Sequence, residues 1–100
     1  DFVYDFSEGL AAVGLNGKLG FVNKRGQLVV PTVYDGASSF SGGLAAVGKI
    51  VNDQAKMGFV NKQGKVVIPF KYENVYDFSE GFALVYHNGK WGYINKKGAV

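Results

Sequence analysis

The chain has 100 residues, with fifteen glycines, two prolines, 15% aromatic residues and no cysteine. That is long enough for one domain burying roughly two-thirds of its unfolded surface, and the balance is that of a turn-rich β protein rather than a disordered tail. Disulfides and thiolate metal sites are excluded, the net charge of +3 falls short of a dedicated nucleic-acid binder, and no apolar run approaches the ~20 residues of a membrane-spanning helix.

Internal self-similarity decides the organisation. FSEGLAAV at 6–13 returns as FSGGLAAV at 40–47 and FSEGFALV at 78–85, in steps of 34 and 38 residues. The units run over 6–39, 40–77 and 78–100. Residues 1–5 repeat the end of a unit, since Val3-Tyr4-Asp5-Phe6 matches Val75-Tyr76-Asp77-Phe78. Residues 1–100 therefore read as a single repeat domain. The chain begins and ends inside the repeat without an atypical capping unit, so the expectation is a segment of a longer array, or a ring whose two ends complete one unit. For a segment, the absence of a signal peptide carries no weight.

Within one unit, Leu10 to Leu15 and Lys18 to Asn23 read as strands joined by Asn16-Gly17, the pair that a type I′ turn demands. Asn23-Lys24-Arg25-Gly26, Asn61-Lys62-Gln63-Gly64 and Asn95-Lys96-Lys97-Gly98 then repeat an N-K-x-G turn, in which Asn bonds backbone ahead of it and Gly takes the left-handed position. A third strand covers Gln27 to Val30, or Lys65 to Ile68. Pro31 and Pro69 are expected to end it, leaving Thr32 to Ser39 and Phe70 to Asp77 to cross to the next unit.

On the second strand, Leu19, Phe21 and Asn23 share one face, and so do Trp91, Tyr93 and Asn95. That face is expected to be core. Ala11, Ala45 and Ala83, with Val13, Val47 and Val85, are invariant between the copies and mark packed positions. The next alternate position varies as Leu15, Lys49 and His87 and marks water. The fold class that follows is all-β: tandem three-stranded antiparallel meanders, in a solenoid-like stack or closing toward a propeller or barrel.

One interval breaks the pattern. Gly43 to Gly58 is four residues longer than Gly9 to Gly20. The extra residues fall within Lys49 to Lys56, which predicts a protruding loop whose Lys49, Asn52, Asp53, Gln54 and Lys56 carry specificity. The recurring basic turns offer the second candidate site. Stacking would line Lys24, Arg25, Lys62, Lys65, Lys96 and Lys97 into a positive stripe able to attract an anionic polymer or an acidic partner. The competing reading, given more weight, is that lysine at hairpin tips simply blocks edge-to-edge aggregation.

No constellation points to catalysis. His87 has no second histidine or cysteine to join it and reads as a solvated strand-end residue. Ser7, Ser41 and Ser79 read as turn caps without a base to activate them. Glu8 and Glu80 lack a cleft and read as exposed turn carboxylates. Tyr4, Phe6, Tyr34, Phe40, Tyr72, Tyr76 and Phe78 cluster in the crossing segments, where they are expected to seal joints between units. No catalytic residue, metal ligand or cofactor is predicted.

With those residues in view, the unit resembles the WG-containing (KWG) repeat of bacterial proteins, through F-S-E-G-L-A-x-V, N-G-K-W-G-Y-I-N-K-x-G and V-I-P followed by Tyr. The naming pair stands only at Trp91-Gly92; the sister units have Leu19-Gly20 and Met57-Gly58, so Trp91 is read as core filler. The resemblance implies bacterial tandem β-repeats, often in long, surface-associated or secreted proteins, with no catalytic residues to carry over. A weaker similarity links the N-G-K-W hairpin to cell-wall and choline-binding repeats, whose units are shorter. The expected function is a non-catalytic module for protein–protein interaction or scaffolding, with carbohydrate or cell-wall binding as the alternative. Its partner would be a protein or an anionic polymer, with nucleic acid disfavoured.

Overall fold

The computed structural model describes residues 2–99; Asp1 and Val100, the ends of the two partial units, lie outside it. Its eleven strands are β1 (Phe2–Ser7), β2 (Leu10–Leu15), β3 (Lys18–Asn23), β4 (Leu28–Tyr34), β5 (Gly36–Ala37), β6 (Leu44–Val51), β7 (Gln54–Asn61), β8 (Val66–Tyr72), β9 (Asn74–Val75), β10 (Phe82–His87) and β11 (Lys90–Asn95). Among the described residues no helix is long and apolar enough to cross a membrane.

The hairpins form where the turn chemistry asks for them. Asn16 and Gly17 have φ of 54° and 80°, Asn88 and Gly89 of 52° and 81°, the double positive-φ signature of a type I′ turn. Strands β2–β3 and β10–β11 then pair residue for residue, Leu15 opposite Lys18 and His87 opposite Lys90. The N-K-x-G turns behave as read. Asn23 Oδ1 accepts from the N–H groups of Arg25 (2.9 Å) and Gln27 (3.0 Å), and Asn61 and Asn95 repeat the arrangement with Gln63 and Lys65, and with Lys97 and Ala99.

Two expectations about the third strand are corrected. β4 and β8 do not stop at Pro31 and Pro69; they run through to Tyr34 and Tyr72. The pairing instead slips at the proline, from Phe21 opposite Val30 to Leu19 opposite Tyr34 and from Phe59 opposite Ile68 to Met57 opposite Tyr72. Such a bulge on an edge strand tolerates the missing N–H donor. It also brings backbone onto the facing strand: a Cβ at Gly20 would lie 2.3 Å from the Val30 oxygen, and one at Gly58 2.5 Å from the Ile68 oxygen.

Secondly, the crossing segments are not merely connectors. After Asp35 the chain re-enters a sheet as β5, beside β6, and after Glu73 as β9, beside β10. The repeating sheet is therefore four-stranded, β1-β2-β3-β4 and β5-β6-β7-β8, followed by β11-β10-β9. A nearly continuous strand closes one sheet and opens the next, the strand switch that joins packed sheets at a corner.

The sheets stack face to face in an open series. Leu10, Ala12, Phe21, Val30 and Tyr34 of the first pack on Phe40, Ala45, Val47 and Val60 of the second. The other face of the second, with Leu44, Ala46, Phe59, Ile68 and Tyr72, packs on Phe78, Ala83, Val85 and Ile94 of the third. Core therefore lies on both faces of the middle sheet, where one aromatic face was expected. Of the invariant Ala and Val positions, Ala45 and Val47 occupy one of those faces and Ala83 and Val85 pack against the other, as anticipated, whereas Val13 on the first sheet is only half-buried. Phe40 and Phe78 wedge into the joints, each meeting a phenylalanine of the preceding sheet edge-on at 4.8 Å, Phe21 and Phe59 respectively. The solenoid-like arrangement holds; among the described residues no barrel or ring closes.

Candidate functional site

Three surfaces carry the polar chemistry of the stack. The first is the row of N-K-x-G turns. Stacking sets the Lys62 turn beside the Ser-Glu-Gly turn of the preceding unit, so Lys62 Nζ lies 3.5 Å from Glu8. Lys96 is likewise at Gly42, where a Cβ would be 3.4 Å from its Cε. Lys24, Arg25, Lys65 and Lys97 are exposed. Part of the expected stripe is thus drawn into the joints between sheets, and the rest faces water.

Glu8, read from sequence as a solvated turn residue, is a staple between sheets. Its two carboxylate oxygens accept from Gly42 N and Gly43 N, both at 2.9 Å. The Gly43 bond is the main cause holding its pKa below the ordinary 4.5, with the Gly42 bond and Lys62 adding to it and desolvation opposing. Ser7 stands beside it, Oγ donating to the Phe40 carbonyl at 2.8 Å, as Ser41 does to Phe78 at 2.7 Å. The recurring serines therefore bond across the joint rather than only within their own turns.

The second surface lies at the opposite ends of the hairpins. Asp35 pairs with Lys18 of the preceding hairpin and accepts from Ile50 N at 2.9 Å in the following one. Glu73 repeats this with Lys56 at 3.1 Å and Asn88 N at 2.9 Å. Both pKa values are lowered, that of Asp35 chiefly by the Lys18 bond and that of Glu73 chiefly by the Asn88 N–H. His87 is not simply solvated: Nδ1 is 3.3 Å from Glu73, and its ring meets Tyr72 edge-on at 5.6 Å. No group of three or more His, Cys, Asp or Glu side chains able to hold a metal ion occurs among the described residues.

The third surface is the insertion. Rather than an irregular loop, it lengthens the β6–β7 hairpin by two pairs, Ile50 opposite Ala55 and Val51 opposite Gln54. Asn52 and Asp53, with φ of 52° and 63°, turn it as Asn-Gly turns its sisters, and the β-branched pair favours strand over loop. Lys49, Asn52, Asp53 and Gln54 are exposed and Lys56 is half-buried against Glu73. Lys49 Nζ lies 5.4 Å over the Phe70 ring and 5.6 Å over that of Tyr34. The exposed Ile50 and Val51, which sequence reasoning passed over, join these residues at the tip.

The sequence matches a family model, that of the WG containing repeat, over residues 1–18, 20–49 and 57–91. The chain belongs to the WG containing repeat family. No curated protein and no solved structure matches it. In this WG repeat array the glycine position of the naming pair is crowded in the first two units, where Gly20 and Gly58 face the proline bulge with no room for a side chain, whereas a Cβ at Gly92 would meet nothing within 4 Å. Trp91 does not act as core filler. It is 49% exposed and leans on Tyr76 and Tyr86, with ring centres 5.7 and 5.0 Å away. The residues outside the matched stretches include 50–56, the extended tip of the middle hairpin.

Proposed function

We propose that this WG repeat chain is a non-catalytic protein–protein interaction module, and that the β6–β7 tip contacts the partner. The observation that carries the reading is the exposure of Ile50 and Val51, 61% and 51%, at the end of a fully paired hairpin and within the stretch that departs from the repeat pattern. Ile50 and Val51, successive strand residues, stand on opposite faces of the tip, and each face offers an exposed apolar side chain with Lys49, Asn52, Asp53 and Gln54 as polar neighbours along the chain. The exposed Lys24, Arg25, Lys65 and Lys97 would add a salt-sensitive attraction for an acidic partner. The test places a photo-crosslinker at Val51. One discrete protein adduct is expected, and capture of that same protein on the immobilised chain, without crosslinker, should be lost when residues 49–56 are replaced by the Leu-Asn-Gly-Lys turn of the first unit while the melting profile is kept. Capture that survives the trimming refutes the reading.

A second reading, carbohydrate or cell-wall binding, is supported by the exposed cluster of Tyr76, Trp91 and Tyr93, since aromatic faces can stack on sugars. Retention on peptidoglycan that disappears in Trp91→Ala, but not in the trimmed hairpin, would favour it.

A further inference from the structure

The joint between neighbouring sheets is built twice in this chain from equivalent parts, and both halves of a third joint stand open on its outer faces. In the first joint Ser7 donates to the Phe40 carbonyl, Glu8 accepts from Gly42 N and Gly43 N and pairs with Lys62, and Phe40 meets Phe21. In the second, Ser41 donates to the Phe78 carbonyl and Phe78 meets Phe59. Advanced by one unit, the leading half consists of Ser79, Glu80, Phe82 and Tyr93. These four residues line a shallow depression of about 420 Å³ on the outer face of the third sheet.

The receiving half stands on the first sheet. Phe6 holds the place of Phe40 and Phe78 but is 46% exposed, whereas each of those is 1%. The Glu8-Gly9 turn has φ of 54° and 83°, close to the 63° and 83° of Gly42 and Gly43. Its two N–H groups are therefore preset like the pair that receives Glu8 in the first joint. Lys24 holds the place of Lys62. Among the described residues neither Lys24 nor Glu80 makes an ion pair.

We propose that the outer face of the third sheet docks head to tail on the outer face of the first sheet of a second copy of this chain. Phe6 of that copy fills the depression against Tyr93 and Phe82. Ser79 donates to its Phe6 carbonyl, and Glu80 accepts from its Glu8 and Gly9 N–H groups and pairs with its Lys24. A generic apolar partner would meet the rings; the first sheet of a second copy supplies the ring, the paired donors and the lysine in one arrangement. The contact is heterologous, so each association leaves one free end of each kind, and growth gives rings or open chains. The third sheet has no described counterpart of β4 or β8, so this joint lacks what Val30 and Tyr34 add to the first and is the weaker one. The hairpin tip takes no part in it, and the inference stands apart from the reading above.

Sedimentation velocity over a wide concentration range tests it. The mass of the chain is expected to rise with concentration. Tyr93→Glu and Phe6→Glu should each stay monomeric, while their equimolar mixture should form a dimer and nothing larger, because one keeps an intact first-sheet face and the other an intact third-sheet face. A second arm leaves the rings untouched: Glu80→Lys or Lys24→Glu alone should weaken association by about tenfold, and mixing these two should restore it. A chain that stays monomeric throughout, single variants that associate as well as the parent, or mixtures that fail to recover association would each overturn the proposal.

Discussion

Phe59 and Tyr93 occupy the same place in the second and third units, yet Phe59 is fully buried and Tyr93 is 63% exposed. Their hairpins are not the cause: Phe59 pairs opposite Ala46 and Tyr93 opposite Leu84, in the same register. The difference is the neighbour. The middle sheet has the third sheet on this face, and the third has nothing described beyond it. Burial in a stacked repeat is thus a property of the joint rather than of the tile. Substitutions at equivalent positions measure the joint directly.

The largest contrast is expected at the rings. Phe59→Ala should cost about 3–5 kcal/mol in urea unfolding, while Tyr93→Ala at its exposed site should stay within about 0.5 kcal/mol. Equal losses would mean that the third sheet is covered in solution. Next come the glycines. Gly58→Ala drives a Cβ to 2.5 Å from the Ile68 oxygen and should cost about 2–3 kcal/mol, since backbone must move. Gly92→Ala, with no atom within 4 Å, should be close to neutral, and the same unfolding curves decide.

The carboxylates give a smaller and pH-dependent difference. Glu8→Ala removes two charge-assisted hydrogen bonds and should cost about 1 kcal/mol after allowing for solvent screening, against nothing measurable for Glu80→Ala. The pKa of Glu8 is lowered in the folded chain, so its contribution is fully present above the ordinary value of 4.5. It is lost as pH falls through the lowered folded value. Asp35 and Glu73 are shifted in the same direction, so the three act together. The melting temperature should drop on acidification below about pH 4.5, with a shallower drop in Glu8→Gln. A parallel profile in that variant would show that Glu8 is no staple.

Much of the fold was legible because its instructions are local. Asn16-Gly17 and Asn88-Gly89 dictate the hairpins, and Asn23, Asn61 and Asn95 dictate the following turns through bonds only two and four residues ahead. The recurrence of Ala45, Val47, Ala83 and Val85 named packed positions correctly. Pro31 and Pro69 misled because a missing N–H ends a central strand but is harmless at an edge bulge, and edge status is not written in the residues themselves. The candidate sites were less readable. Lys62 looked like its sisters until stacking put it against Glu8, and the 49–56 insertion looked like a loop because its length was visible while the pairing of Ile50 with Ala55 was not.

The hairpins and turns of the tile were determined by sequence alone: two-residue turns, alternation and glycine at positive φ all act within a few residues, so the chain's order suffices to specify them. Only the tertiary structure decided that the middle sheet is core on both faces, that Glu8 and the serines bind one unit to the next, and that Trp91 and Tyr93 face outward. Those outcomes depend on partners some 33 to 37 residues away, brought within reach by sheets stacking, and identical side chains are core or surface according to whether another sheet lies above them.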